Sequence, residues 1–136
     1  MKRLQTRPQF QAVLAGGAIV AKTTHFALHR NALTVRAAQA LPGQDDAPRL
    51  FPVPDFWVGA MVPKRWAKRA VTRNAIKRQI YAVSTDFSHQ YPQAAYVVRL
   101  RRDFSRKEFI SAMSEPLKLA VRDEIQALML AGSRAP

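Results

Sequence analysis

The chain has 136 residues, 48% of them hydrophobic, which is enough for one domain with a buried core and too few for two. Its 22 lysine and arginine residues against 9 aspartate and glutamate residues give a formal net charge of +13. The lack of cysteine excludes disulfides and thiolate metal sites. No apolar run approaches the roughly 20 residues of a membrane span, and the N-terminus lacks the apolar region of a signal peptide, so the sequence predicts a cytoplasmic protein without membrane contact.

The first half of the chain predicts a helix, two strands and a loop. Thr6 can cap a helix on which Phe10, Val13 and Leu14 share one face, and a Gly-Gly pair ends it. The segments AIVAK and HFALHRNALTV then predict two strands joined by a short turn. Residues 38–55 are rich in proline and aspartate, and we interpret them as a surface loop inside the domain, because neither flank could fold alone.

The second half predicts a strand, a helix, a strand and further helices. FWVGAMV predicts a buried strand that Pro63 ends, and AAYVVRL predicts another strand after the cationic helix. SRKE at 105–108 has the spacing of a capping box. Residues 114–136 predict a helical C-terminal extension with one apolar face, formed by Leu117, Val121, Ile125 and Leu128. We therefore expect residues 1–136 to form a single α+β domain, a two-layer sandwich of helices against a small sheet.

The positive charge is concentrated in one interval of the chain. Between Asp55 and Asp86 there is no acidic residue, while seven cations occur there: Lys64, Arg65, Lys68, Arg69, Arg73, Lys77 and Arg78. A charge surplus of this size attracts polyanions, so nucleic acid is the predicted partner class. An anionic membrane is the weaker alternative, because it would need a helix with large apolar residues opposite the cations.

The segment KRAVTRNAIKRQ, residues 68–79, predicts a helix with two different faces. At 100° per residue one arc is apolar and faces the sheet: Ile76, Ile80, Val83 and Phe87. Arg73 and Lys77 stack beside this arc, and Asn74 and Arg78 form the next column. Like charges at i, i+4 destabilise a helix, and no acid relieves them here, so the pattern favours an external anion. The alternative is that the charge run is only a solvated face.

The acidic and histidine residues do not form the pattern of a nuclease. Hydrolysis of a phosphodiester by protein alone usually needs metal-binding carboxylates or a histidine pair. Asp45 and Asp46 lie in the proline-rich loop without a partner motif, and His25 and His29 could share a strand face but have no third ligand. We predict no catalytic residue and no metal site in the polypeptide.

The motif TRNAIKR resembles the RNR signature of the bacterial ribonuclease P protein subunit, a small basic protein that assembles with a catalytic RNA to mature the 5′ end of tRNA. Four other segments resemble the family in the same order: RLQTRPQFQAVLAGG its first helix, HFALH its second strand, and VGAMVPKR and YVVRLRR the strands that flank the signature helix. The resemblance implies a four-stranded sheet and a left-handed crossover between those flanking strands, against the usual hand of such units.

The resemblance also implies two binding surfaces. The signature helix would meet the catalytic RNA through Lys68, Arg69, Arg73, Asn74, Lys77 and Arg78. A cleft between the first helix and the sheet would hold the single-stranded 5′ leader of precursor tRNA through Phe10, Leu14, His29, Lys64, Arg65, Arg101 and Arg102. The RNA subunit would supply the chemistry and hold magnesium, so the polypeptide would bind no cofactor and need no protein partner.

Two other classes stay open from the sequence. A general RNA-binding or ribosomal-type protein could use the same cationic face, but it would not need Phe10 or the basic pairs at 64–65 and 101–102. A DNA-binding helix-turn-helix protein would place another helix shortly before the recognition helix. A predicted strand and Pro63 stand there instead, which counts against that class.

Overall fold

A computed structural model describes residues 1–34, 49–104 and 115–134. Three α-helices and five strands occur in these ranges, with one short 3₁₀ turn at Ser88–Gln90: β1 Lys2–Arg3, α1 Arg7–Gly16, β2 Ala18–Lys22, β3 Phe26–Asn31, β4 Trp57–Met61, α2 Ala70–Phe87, β5 Ala95–Leu100 and α3 Glu115–Ser133. The predicted capping box at 105–108 and the part of the predicted loop before residue 49 lie outside the described residues.

The strands form one mixed sheet in the order β1-β4-β5-β3-β2. β1 and β5 both run parallel to β4, and the β5, β3 and β2 strands pair antiparallel. The predicted α+β class is confirmed, with five strands rather than four. The additional strand is β1, a two-residue edge strand held by backbone bonds from Lys2 to Phe56 and from Leu4 to Val58, each 3.0 Å. It is too short to produce a pattern of alternating residues in the sequence.

Helices α2 and α3 pack together on one face of the sheet. The predicted apolar stripes of both helices are confirmed, because Ile76, Ile80 and Val83 of α2 and all four predicted residues of α3 are buried. Phe87, the last residue of the α2 stripe, is half-buried against the same core. They meet Phe26, Leu28, Tyr96 and other sheet residues in the larger of two apolar clusters. The sheet and the layer formed by α2 and α3 make up the predicted sandwich, and α3 is an integral part of its core. The assignment of residues 1–136 to one domain stays a prediction.

Helix α1 lies on the opposite face of the sheet. A second apolar cluster joins it to the strands, with Leu4, Val13, Phe51, Trp57, Ala95 and Val97 buried. The predicted cap is confirmed: the Thr6 hydroxyl accepts from the Gln9 backbone N–H, and the Gln9 side chain accepts from the Thr6 N–H. The helix ends at Gly16, and a Cβ on Gly17 would lie 2.4 Å from the carbonyl oxygens of Val13 and Arg30, so only glycine fits there.

Candidate nucleic-acid interface

The outer surface of α2 carries the predicted cations and lies next to the end of β4. We call Lys68, Arg69, Arg73, Asn74, Lys77 and Arg78 the cationic face. The helix begins at Ala70, so Lys68 and Arg69 precede it rather than lie within it. Lys68, Arg69, Asn74 and Arg78 are exposed, and Lys77 is half-buried.

No carboxylate neutralises this surface within the described parts of the chain. The three ion pairs found there join Met1 to Asp55, His25 to Glu124 and Lys118 to Glu115. None of them includes any of the seven cations between Lys64 and Arg78. The charge on the cationic face is therefore available to an external anion.

Arg73 also has a structural contact that its position on the helix did not indicate. Its Nη1 donates to the carbonyl oxygens of Ala67 at 3.0 Å and Lys68 at 2.8 Å. The same segment folds back on itself, since the Pro63 carbonyl accepts from the N–H groups of Trp66 and Ala67. Arg73 thus holds the start of α2 against the preceding turn, and it is half-buried.

Two residues that sequence reasoning missed extend the cationic face toward the sheet edge. Tyr81 lies four residues after Lys77 on the same side of α2, and its hydroxyl accepts from the Ala60 N–H at 3.2 Å. The Arg3 guanidinium lies over the Tyr81 ring, 4.1 Å from its centroid. The i, i+4 spacing from Lys77 could have indicated that Tyr81 lies on the same side of α2. The placement of Arg3 could not be predicted in this way, because it depends on the pairing of β1 with β4.

The surface where α1 packs on the sheet, with the neighbouring ends of β4 and β5, corresponds to the predicted leader-binding cleft, and we call it the α1 groove. Phe10 and Leu14 on α1 form its wall and are both half-buried. A Cβ on Gly59 would come within 2.6 Å of a Phe10 ring carbon, so the absence of a side chain on β4 lets the ring lie on the strand. At the end of β3, the Asn31 side chain donates to the Ala12 carbonyl of α1 at 3.0 Å.

Four predicted cations follow the ends of two neighbouring strands, and we call them the basic rim: Lys64, Arg65, Arg101 and Arg102. The first pair follows β4 and the second follows β5, and parallel neighbouring strands end at the same edge of a sheet. Arg101 also has a structural contact, because its Nε donates to the Thr23 carbonyl at 3.0 Å. The other three side chains are exposed.

A polar pair lies on the face of the sheet that packs against α1. His29 is only 6% exposed, and its Nε2 accepts from the Nε of Arg99 at 3.2 Å. Burial lowers the pKa of His29, and the nearby charge of Arg99 lowers it further. Sequence reasoning missed Arg99, although a cation inside the apolar segment AAYVVRL was a visible signal.

The two histidines do not form one site. His25 precedes β3, contacts the Glu124 carboxylate on α3 with Nδ1 at 2.6 Å, and stacks on Phe104 at 4.0 Å between ring centroids. Within residues 1–34, 49–104 and 115–134, no group of three His, Asp or Glu side chains could hold a metal ion. The same ranges contain no helix that is long and apolar enough to cross a membrane.

Replacing Arg99 by methionine is expected to raise the pKa of His29 toward 6.5, because it removes a positive charge beside the imidazole. Because the pKa of His29 is lowered in the folded protein, the His29 ring binds a proton more readily in the unfolded chain than in the folded one. The free energy of unfolding should therefore fall as the pH is lowered below 6.5, and less so in Arg99→Met. An NMR titration of the His29 ring checks this, and an identical pKa in both proteins would contradict it.

The fold and these two surfaces define a small basic α+β protein with a cationic helix and a groove under its first helix. The sequence profile of the Ribonuclease P family matches residues 1–124, so the chain belongs to that family. It is 32% identical over 72 residues to the ribonuclease P protein component of Paraburkholderia xenovorans strain LB400, a segment that spans 53% of this chain and 52% of that relative.

Solved structures of RNase P proteins share the fold. The protein from Staphylococcus aureus aligns with a TM-score of 0.65 at 15% identity, covering 96% of this chain and 94% of its own. The protein from Thermotoga maritima aligns with a TM-score of 0.56 at 15% identity, covering 93% and 97%. The predicted resemblance to this family is confirmed.

Proposed function

We propose that this chain is the protein subunit of a ribonuclease P, which binds the catalytic RNA and the 5′ leader of precursor tRNA and thereby assists removal of the leader. The observation that carries the proposal is the pairing of two surfaces on one small fold. The cationic face has no carboxylate partner within the described residues. The α1 groove combines an aromatic wall with the basic rim.

The cationic face suits a structured RNA. Its exposed members lie on one side of α2 and in the turn before it, so they can reach successive phosphates of a folded strand. The apolar stripe of the same helix is buried in the core, which fixes the orientation of the cations. We assign RNA-subunit binding to this face.

The α1 groove suits a single strand. Proteins usually hold single-stranded nucleic acid with cations along the backbone and rings that stack on bases. The half-buried Phe10 ring offers the stacking surface, and the basic rim offers the charge. Leu14 has no ring and His29 is only 6% exposed, so we expect stacking to depend mainly on Phe10.

The proposal gives the chemistry to the RNA subunit, with magnesium held at the RNA active site. The described residues offer no cluster of carboxylates or histidines that could hold a metal ion. The contribution of the polypeptide is then to screen phosphate charge and to position the substrate. A cytoplasmic location, without a further protein partner, completes the proposal.

Cleavage of precursor tRNA at low magnesium tests this function directly. Mixed with a bacterial ribonuclease P RNA, the protein is expected to increase the cleavage rate, because its cations replace part of the screening that magnesium otherwise provides. The double variant Lys68→Met with Arg78→Met should require more magnesium than the native protein. Arg122→Met, an exposed change of charge on α3, is the matched control and should behave like the native protein.

The assignment fails if stoichiometric protein leaves cleavage at low magnesium unchanged. Equal binding of the protein to many unrelated structured RNAs, together with that result, would instead support a general RNA-binding protein that uses only the cationic face.

A further inference from the structure

Arg99 occupies an unusual position in the fold. It shares a face of β5 with Ala95 and Val97, which are completely buried in the cluster beneath α1. Arg99 is only half-buried, because it lies further along the strand, opposite Met61 of β4 and Ala27 of β3. It therefore places a guanidinium on the α1 side of the sheet, two residues before Arg101 of the basic rim.

The fold itself gives little reason for a cation at this point. Removing a charge from water costs free energy unless a partner compensates it. Within residues 1–34, 49–104 and 115–134, no carboxylate pairs with Arg99, and its hydrogen bond is to His29. Burial and the charge of Arg99 lower the pKa of this histidine and so favour its neutral form, which does not balance the charge.

His29 fixes the direction of the guanidinium. The Nε–H of Arg99 is directed at the Nε2 of His29 at 3.2 Å, which places the imidazole proton on Nδ1. A guanidinium has five N–H donors, so those on the two terminal nitrogens are left for a ligand. Two such donors side by side match two oxygens of a phosphate.

We propose that Arg99 binds a phosphodiester of single-stranded RNA in the α1 groove and that His29 is the positioning residue that orients it. The inference rests on the proposed function, because the RNA concerned is the 5′ leader. It adds a contact inside the groove to those expected from the basic rim.

The affinity of the assembled ribonucleoprotein for precursor tRNA with and without a leader tests the contact. Arg99→Met keeps the aliphatic stem but removes the charge, and it is expected to weaken binding of the leader-bearing form about 10- to 100-fold, the loss typical of hydrogen bonds to a charged group. Binding of leaderless tRNA should not change. Arg122→Met carries the same change of charge on α3 and should match the native protein for both tRNAs.

A second variant covers the case in which Arg99→Met does not fold. Arg99→Lys keeps the charge but loses the planar fork, and it should weaken binding of the leader-bearing form about tenfold. Native affinity in whichever of these variants folds would overturn the inference.

Neutral methylphosphonate linkages placed one at a time along the leader locate the contact. At one linkage, the substitution should weaken binding by the native protein about as much as Arg99→Met does. The same linkage should have little effect on binding by the Arg99→Met variant, because the variant already lacks that interaction. Equal losses for the native protein and the variant at every position would overturn the phosphate contact.

The positioning role of His29 has its own measurement. His29→Phe keeps a ring of similar size and removes the acceptor. It should weaken binding of the leader-bearing form in the native background and have no further effect in the Arg99→Met background. An equal effect in both backgrounds would show that His29 acts independently of Arg99.

Failure of this inference can be told from failure of the proposed function. A native ribonucleoprotein that binds leader-bearing and leaderless tRNA equally would overturn both. A native complex that prefers the leader-bearing form, together with unaffected Arg99 variants, would overturn only the role of Arg99.

Discussion

Raising the salt concentration from about 50 to about 200 mM is expected to weaken binding of the RNA subunit several hundredfold. The estimate assumes that the five cations of the cationic face contact phosphates, each contributing about −0.9 to the slope of log affinity against log salt. A slope of about −4.5 over a fourfold change in salt gives about 500-fold. Because no carboxylate in the described residues pairs with these cations, RNA binding need not break an internal ion pair first.

Single variants measured over the same salt series identify the contacts. Arg78→Met removes one exposed cation from α2 and should reduce the magnitude of the slope by about 0.9. Arg122→Met should leave the slope unchanged. Arg73 is a poor probe, because its loss also removes two hydrogen bonds to the turn before α2. A nearly salt-independent affinity would contradict the assignment of this face to RNA.

The elements predicted best are those whose apolar residues repeat with a clear period. The stripe on α2 and the face of α3 followed from a 3.6-residue period and are buried as expected. The Thr6 cap followed from local chemistry, since its hydroxyl bonds a backbone N–H only three residues away. In these cases the information lies within one or two helical turns of sequence.

The features that the sequence did not predict depend on contacts between distant segments. β1 has two residues and exists because β4 offers an unpaired edge. The Arg99–His29 pair requires the register between β3 and β5, although the alternation of β5 alone places Arg99 on the same face as Val97. The inward turn of the Arg73 side chain requires the folded segment before α2. Helical periodicity gives no information on any of these pairings.

The position of α1 on the sheet face opposite α2 and α3 also depends on long-range contacts. Gly59 lacks a side chain at the point where the Phe10 ring lies against β4. Neither the sequence pattern of α1 nor that of β4 indicated this close approach. The groove residues could thus be proposed from family resemblance, but the structure was needed to show that Phe10 is half-buried.

Phe10→Ala is expected to reduce both the stability of the protein and its affinity for the leader, by different amounts. Truncating a fully buried phenylalanine costs about 3 to 5 kcal/mol. Because the Phe10 ring is only half-buried, we expect about 2 kcal/mol, or roughly 5 to 10 °C in Tm for a domain of this size. Loss of a ring that stacks on a base should further weaken leader binding by about 1 to 3 kcal/mol, roughly 5- to 150-fold.

Val13→Ala provides the matched control, because Val13 lies on the same helix and is completely buried away from the groove surface. It should lower Tm without a selective loss for leader-bearing tRNA, and both variants should still assemble with the RNA subunit. Thermal unfolding is measured beside the affinity of each assembled complex for leader-bearing and leaderless tRNA. An equal loss for both tRNAs in Phe10→Ala would make Phe10 an ordinary core residue, whereas a loss confined to the leader-bearing form, and absent in Val13→Ala, would place its ring against the leader.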